Sequence, residues 1–251
     1  MPGPLVRSTF SPTRAWRSAV GDRLALILAR QMLTHFVSPR FTHRKLEPPF
    51  YRDVVDVFED RMRGWLLAPA LKLLDSNDCS IASVSLATNY FEGIEIYHSG
   101  EDSKNQSRKF FSRGFLRVFQ MEDKAPALQE CVTGGLFDLL RCGFAHDSMF
   151  RSGIIFSTVR KEPLLVTMKK KEGQFDPSVP LESVIINPRA FVESVERHFT
   201  LYVRELRRAQ DEQLKENFEK AIALKWRLGN PGKAVGMTEE QFFQGDVPNG
   251  A

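Results

Sequence analysis

After Pro49, apolar residues recur every three or four positions through most of the chain, the spacing that gives a helix one buried stripe. Between Tyr51 and Leu74 the stripe is Val54, Val55, Phe58, Met62, Trp65, Leu66 and Leu73. Pro69 has no N–H to donate and is expected to kink or split this segment. Ser76-Asn77-Asp78 offers helix-capping oxygens. The next helix is predicted from about Ser80 to Tyr97, with Ile81, Val84, Leu86, Ala87, Phe91 and Ile94 on its apolar side and Ser99-Gly100 at its end. A third carries Phe110, Phe111, Phe115, Leu116, Val118 and Phe119 and runs to about Met121. Pro126 suits a first helical turn, and Leu128, Cys131, Val132, Leu136, Phe137 and Leu140 continue from it. Within that helix Gly134-Gly135 either admits another backbone or loosens the turn, and Gly143 is expected to interrupt it.

The period then changes. Residues 154–159 and 164–168 are short β-like runs, and Val184-Ile185-Ile186 follows a polar loop containing Gly173, Pro177 and Pro180. A small antiparallel sheet is predicted at about 153–187, with Lys169-Lys170-Lys171 as an exposed edge that deters aggregation. Asn187-Pro188 pairs a cap with a proline at the first helical position. The long helix that follows carries Phe191, Val195, Phe199, Tyr202, Val203 and Leu206 on one face. Leu214, Phe218, Ile222 and Trp226 keep its phase with more charge between, so this second half is expected to project or to pair with another subunit. The predicted class is mainly α: a helical up-and-down bundle over 50–228 with a small antiparallel β insertion and a long C-terminal helix. Residues 229–251 read as a flexible tail.

Charge divides the chain differently. Residues 1–45 hold seven Arg and one Lys against one acid, Asp22, so this stretch carries +7 while the formal net charge is +4. The remainder therefore sums to −3, and any electrostatic grip on nucleic acid must be local or come from the arm. Residues 1–49 read as a basic extension with a helical candidate from Arg14 to Phe36. It is a nucleic-acid-touching arm, an amphipathic targeting segment, or the product of a start placed too far upstream. The three cysteines, Cys79, Cys131 and Cys142, form no CxxC pair, which argues against a disulfide framework or zinc site and for a cytoplasmic setting. No run of about 18 apolar residues exists, so no membrane span is expected.

The chemistry concentrates in Arg141-Cys142-Gly143-Phe144-Ala145-His146-Asp147. An always-charged guanidinium and an imidazole that titrates near neutral pH stand at a helix end with four residues between them, a pair suited to a phosphodiester. GxxxxGK[ST], GxGxxG, HExxH and GxSxG are absent, and the five histidines show no ligand spacing. Two further sets bear on this pair. Glu92 and Glu95 sit on an otherwise apolar helix, pointing to water, pairing with a nearby Arg, or orienting the Arg141–His146 pair. Lys109, Arg113 and Arg117 recur every four residues among aromatics, either as a solvated stripe or as an RNA-binding face. His198 falls on the apolar side of its helix and reads as a partly buried core or interface residue.

The stretch "LLRCGFAHDSM" resembles the signature of HEPN domains, all-α proteins in which Arg is followed, four to six residues later, by His. The resemblance implies a metal-independent endoribonuclease that needs no cofactor, with the motifs of a homodimer facing across a cleft in defence or toxin-type RNA cleavage. It also implies a cognate antitoxin or nucleotidyltransferase partner, and a supporting acidic residue from a preceding helix, here Glu92 or Glu95. In that mechanism His146 moves the proton of a ribose 2′-hydroxyl or of the leaving oxygen, and Arg141 stabilises the phosphorane-like charge, with Cys142 and Asp147 beside them. RNA-cutting members usually carry a polar residue, often Asn, directly after the Arg, where this chain has Cys142. The alternative is a non-catalytic dimerisation or ligand-binding module, in which Arg141 pairs with Glu92, Glu95 or Asp147 and His146 caps helix carbonyls.

Overall fold

The computed structural model describes residues 37–46, 48–121, 124–147 and 149–226, and these are mainly helical. The helical candidate at Arg14–Phe36 and the tail at 229–251 lie outside the described residues. Helix α1 (Tyr51–Met62) passes through a π-helical turn (Arg63–Leu67) into α2 (Ala68–Leu73). Pro69 thus falls in the first turn of α2, where its missing N–H is tolerated, and the wider π turn absorbs the expected break. After a 3₁₀ turn (Asn77–Cys79) comes α3 (Ser80–Ser99), then α4 (Ser107–Val118), α5 (Pro126–Leu136) and the one-turn α6 (Gly143–Asp147). The capping oxygens expected at Ser76-Asn77-Asp78 do not cap α3: neither Ser76 nor Cys79 makes a side-chain cap bond there. At its other end α3 stops as expected, with Gly100 in the left-handed region (φ 71°).

Helix α3 is the axis. Val84, Ala87, Tyr90, Phe91 and Ile94 are fully buried, and Ser83 and Thr88 are buried with them. The Ser83 hydroxyl donates to the Ala70 carbonyl (2.6 Å) and the Thr88 hydroxyl to Val84 of its own helix (2.8 Å), so the burial leaves neither unsatisfied. Against α3 pack α2, α4, α7 (Pro188–Arg208) and α8 (Glu212–Trp226). The tightest contact is with α4. A Cβ at Gly114 would collide with the Phe91 carbonyl, so only glycine permits this approach. Phe111 and Phe115, on either side of Gly114, then close edge-on around the Phe91 ring, with centroids 5.4 and 5.3 Å away.

Five strands lie between α6 and α7, and the sheet departs from the antiparallel expectation. β1 (Ile154–Phe156), β2 (Leu164–Thr167) and β5 (Ser183–Ile186) form a mixed sheet in the order β1-β5-β2, with β1 parallel to β5 and β2 antiparallel to it. The middle strand is the last in sequence and the most buried of the three, with Val184 and Ile186 fully buried in the helical core. β3 (Lys170–Lys171) and β4 (Gln174–Phe175) make a separate exposed ribbon. Its two-residue loop puts Glu172 (φ 53°) and Gly173 (φ 82°) at positive φ, which matches the strand twist.

Asn187 caps α7 as expected, accepting from the Ala190 N–H at 3.1 Å ahead of Pro188. The long C-terminal helix does not continue. Ala209 turns left-handed (φ 49°), Asp211 accepts from the Leu214 N–H (3.0 Å), and the chain reverses into α8. Helix α8 neither projects nor leaves its apolar face free. Phe218 is fully buried beside Phe58 (centroids 5.2 Å), and Asn217 donates to the His98 carbonyl of α3 (2.8 Å). Residues 37–46, on the extension side of the boundary at 49, pack on α1. Asp60, 4% exposed, accepts from the Ser38 hydroxyl and the Arg40 backbone N–H, both at 2.7 Å.

Two predictions follow from the packing around α3. Gly114→Ala must separate α3 from α4, and is expected to lower stability by about 2 kcal/mol or more, seen as a melting temperature roughly 5 °C or more lower. The imidazoles of His98 and His198 lie 6.0 Å apart. Burial, reinforced by the positive Arg117, pushes His98 down to about 3 and His198 to about 4. Both are neutral in the folded chain, whereas the unfolded chain protonates near 6.5. Their contribution is therefore complete above about pH 6.5 and falls with pH from there to about 4, by up to roughly 1.4 kcal/mol per pH unit for each. Urea unfolding between pH 7 and pH 5 is expected to show this slope, and His98→Gln to flatten it.

Candidate functional site

Helix α5 does not end at the motif. It runs on through a second π-helical turn (Phe137–Cys142), which carries Arg141, and into α6, which carries His146. Gly143 therefore continues the helical run instead of interrupting it. Packing there is tight: a Cβ would stand 3.0 Å from the Arg151 backbone nitrogen and 3.0 Å from the Met149 carbonyl, so a larger residue would make its neighbours give way. The chain after α6 folds back over this point. Gly135 likewise makes room, for the Leu181 side chain from the β region, whose Cγ would meet an added Cβ at 2.8 Å. A side chain, not another backbone, makes the close approach there.

Arg108 of α4 braces the turn. Its guanidinium lies over the Phe137 ring (5.0 Å), donates to the Gly134 carbonyl (3.0 Å) and pairs with Asp138. Wider turns of this kind displace side chains from the regular helical register and recur at functional sites. Arg141 emerges from this one with its side chain 34% exposed, its Nε 3.8 Å from Glu92 Oε2 on α3. At that length the contact is an ion pair without a hydrogen bond. Glu92 is held from the other side by the Ser107 hydroxyl, which donates to Oε1 at 2.9 Å. The structure thus brings together Arg141 and Glu92, one of the two acids singled out in the sequence.

His146 is exposed and makes no hydrogen bond or ion pair with a described residue; no hydrogen bond links it to Arg141. Cys142, partly buried, is a free thiol. Asp147 closes α6, and its side chain lies outside the described residues. Close to His146 in sequence, Phe144 (39%) and Met149 (59%) are exposed. Among the described residues no group of His, Cys, Asp and Glu is arranged to hold a metal ion, and no helix is long and apolar enough to cross a membrane.

Glu95 does not face the motif. It is 2% exposed and accepts from Arg117 Nε at 2.6 Å, with Arg113 NH1 3.9 Å away. Two of the three basic-stripe residues are therefore drawn to one buried carboxylate, while Lys109 stays exposed beside Gln106 (3.2 Å). Lys109 and Arg113 line a groove of about 590 Å³ between α4 and α5. The aromatics interleaved with the stripe, Phe110, Phe111 and Phe115, are buried in the core and offer no face for stacking a base. Arg108 was missed in sequence because nothing local marks it. For Glu95 the signal was present: a carboxylate on a wholly apolar helix needs a cation, and Arg113 and Arg117 supply two at one-turn spacing.

Among known proteins, no family model, curated protein or solved structure matches the chain.

Proposed function

We propose that the protein is a HEPN-like, metal-independent endoribonuclease, built on an up-and-down helical bundle and acting through Arg141 and His146. The observation that carries this most strongly is the disposition of the pair: Arg141 anchored by the partly buried Glu92 on a π-helical turn, followed within the same helical run by an exposed imidazole. Glu92 fixes the guanidinium without burying it, leaving donors for a phosphate oxygen. His146 is open to solvent, as a group exchanging a proton with a substrate hydroxyl must be. Phe144 and Met149, two and three positions from it in sequence, are exposed and offer apolar contacts to a second copy, which would set two such pairs across one cleft. In this mechanism His146 takes the proton from the ribose 2′-hydroxyl as that oxygen attacks the adjacent phosphorus, and the bond to the leaving 5′-oxygen breaks. Arg141 stabilises the charge on the pentacoordinate phosphate, the leaving 5′-oxygen takes a proton from water, and the products are a 2′,3′-cyclic phosphate and a free 5′-hydroxyl. DNA lacks the attacking hydroxyl and is spared. An RNA target, and any cognate antitoxin or nucleotidyltransferase partner, would be engaged through this face.

A second reading, a non-catalytic dimerisation or ligand-binding module, draws on Cys142 in the position after Arg141 and on the ion pair that partly neutralises the guanidinium. One assay separates the two. In EDTA, purified protein is expected to cut single-stranded RNA and leave DNA intact. Arg141→Ala and His146→Ala are each expected to lower the rate by about 100-fold or more, and Glu92→Gln by a smaller factor. No cleavage at micromolar protein, or cleavage unchanged in both alanine variants, contradicts the nuclease. Light scattering is expected to give a dimer mass that Met149→Glu shifts towards the monomer.

A further inference from the structure

About one turn along α3 from Glu92, beyond the groove that Lys109 and Arg113 line, lies a cavity of about 710 Å³ between α3, α4 and α7. It is a depression open to solvent, wide enough to admit a small organic ligand. Glu95, Arg113, Arg117 and His198 line it, with Leu116 and Met121 as an apolar patch. The donors there are set up in advance. Arg117 spends its Nε on the buried Glu95 (2.6 Å), and no hydrogen bond from its two terminal nitrogens to a described residue accompanies that pairing. Arg113 stands 3.9 Å from the same carboxylate, too far for a hydrogen bond, so its guanidinium keeps its donors. Among the described residues that line the cavity, two guanidinium charges face one carboxylate.

His198 adds a neutral donor. Tyr90 is fully buried, and its hydroxyl lies 2.8 Å from His198 Nδ1, its one hydrogen-bond partner among the described residues. A buried phenol keeps its proton and must give it to an acceptor, and burial indeed pushes the Tyr90 phenol well above its usual range. Nδ1 therefore accepts, which leaves the ring proton on Nε2, the other nitrogen of a side chain on the cavity wall. The charges beside this imidazole are Arg117 and Arg113 from α4 and Glu95 from α3, with the neutral His98 ring 6.0 Å away.

We infer that this cavity binds a phosphate monoester of a small molecule, its oxygens held by the terminal nitrogens of Arg113 and Arg117 and by His198 Nε2, and its organic part resting against Leu116 and Met121. Glu95 is a positioning residue: it fixes Arg117 in place and leaves the open end of the fork to the ligand. The doubly charged phosphate group outweighs the single carboxylate already present, and bidentate guanidinium contacts match its geometry. The site is separate from Arg141 and His146 and does not depend on RNA cleavage.

Isothermal titration calorimetry tests it with three probes at matched ionic strength: inorganic phosphate, adenosine monophosphate and adenosine. Phosphate and adenosine monophosphate are expected to bind, the nucleotide more tightly, and adenosine alone to give no heat. Arg113→Gln is the variant of choice, because that side chain is 47% exposed and makes no hydrogen bond to Glu95. It is expected to weaken both ligands by roughly tenfold or more with the melting temperature unchanged. His198→Gln, whose amide oxygen can still accept from the Tyr90 hydroxyl, is expected to weaken them less. Arg141→Ala is expected to leave binding intact even where it abolishes RNA cleavage, so failure of the nuclease and failure of this site are told apart. The inference is overturned if neither phosphate nor the nucleotide binds at millimolar concentration, if Arg113→Gln binds as well as the parent protein, or if RNA binds while both small probes do not.

Discussion

Everything in this molecule depends on how closely α4 lies against α3. The absence of a side chain at Gly114 lets the backbone of α4 rest on the Phe91 carbonyl, and the flanking phenylalanines lock around the Phe91 ring. This closeness has an electrostatic consequence. Helix α3 is enclosed by α2, α4, α7 and α8, yet it carries Glu92 and Glu95. A carboxylate drawn into such surroundings must meet cations and hydroxyls, because burying it unpaired is far more costly than the helix could sustain. Arg117 and Arg113 of α4 meet Glu95, and Ser107 at the start of α4 meets Glu92 together with Arg141. These two charged clusters are thus both products of one helix crossing.

How much of this was readable in the residues depended on how local the cause was. Helix positions followed from apolar spacing, and Asn187-Pro188 and Gly100 marked their termini because capping is decided within a few residues. The reversal at Ala209 carried no mark. An alanine at positive φ lacks the glycine or asparagine that ordinarily signals such a turn, and the apolar phase carries on across it into α8. The parallel pairing of β1 with β5 was hidden for another reason: residues 30 positions apart meet at Ile154 and Val184, and no short-range pattern specifies that register. Both π-helical turns were missed for a related cause. A single extra residue in a helical turn leaves the hydrophobic spacing nearly unchanged, although at Arg141 it re-aims the side chain on which the proposed chemistry rests.

The site was legible as a list of residues and not as an arrangement. Arg141 and His146 stood out by type and spacing, but whether Glu92 or Glu95 supported them turned on the rotation of α3, which three residues of sequence cannot fix. The structure separates their roles: Glu92 tethers a partly exposed guanidinium beside the motif, and Glu95 lies buried one turn on, holding Arg117 at the edge of a different cavity. The basic stripe on α4 divides in the same way. Arg113 and Arg117 belong to that cavity, while Lys109 alone keeps the solvated position expected of a charged helix face. A near-neutral body with localised positive sites is then coherent. On the two proposals, attraction for phosphate is confined to local sites instead of being spread over a surface.

The most direct test of the α3–α4 constraint is native-state hydrogen exchange read residue by residue. Amides of residues 84–96 and 110–115 are predicted to exchange only through global unfolding, with protection equal to the full stability of the protein and the same dependence on denaturant. Exchange of either segment through a local opening, well before the rest of the core, would contradict the claim that this crossing holds both charged clusters in place.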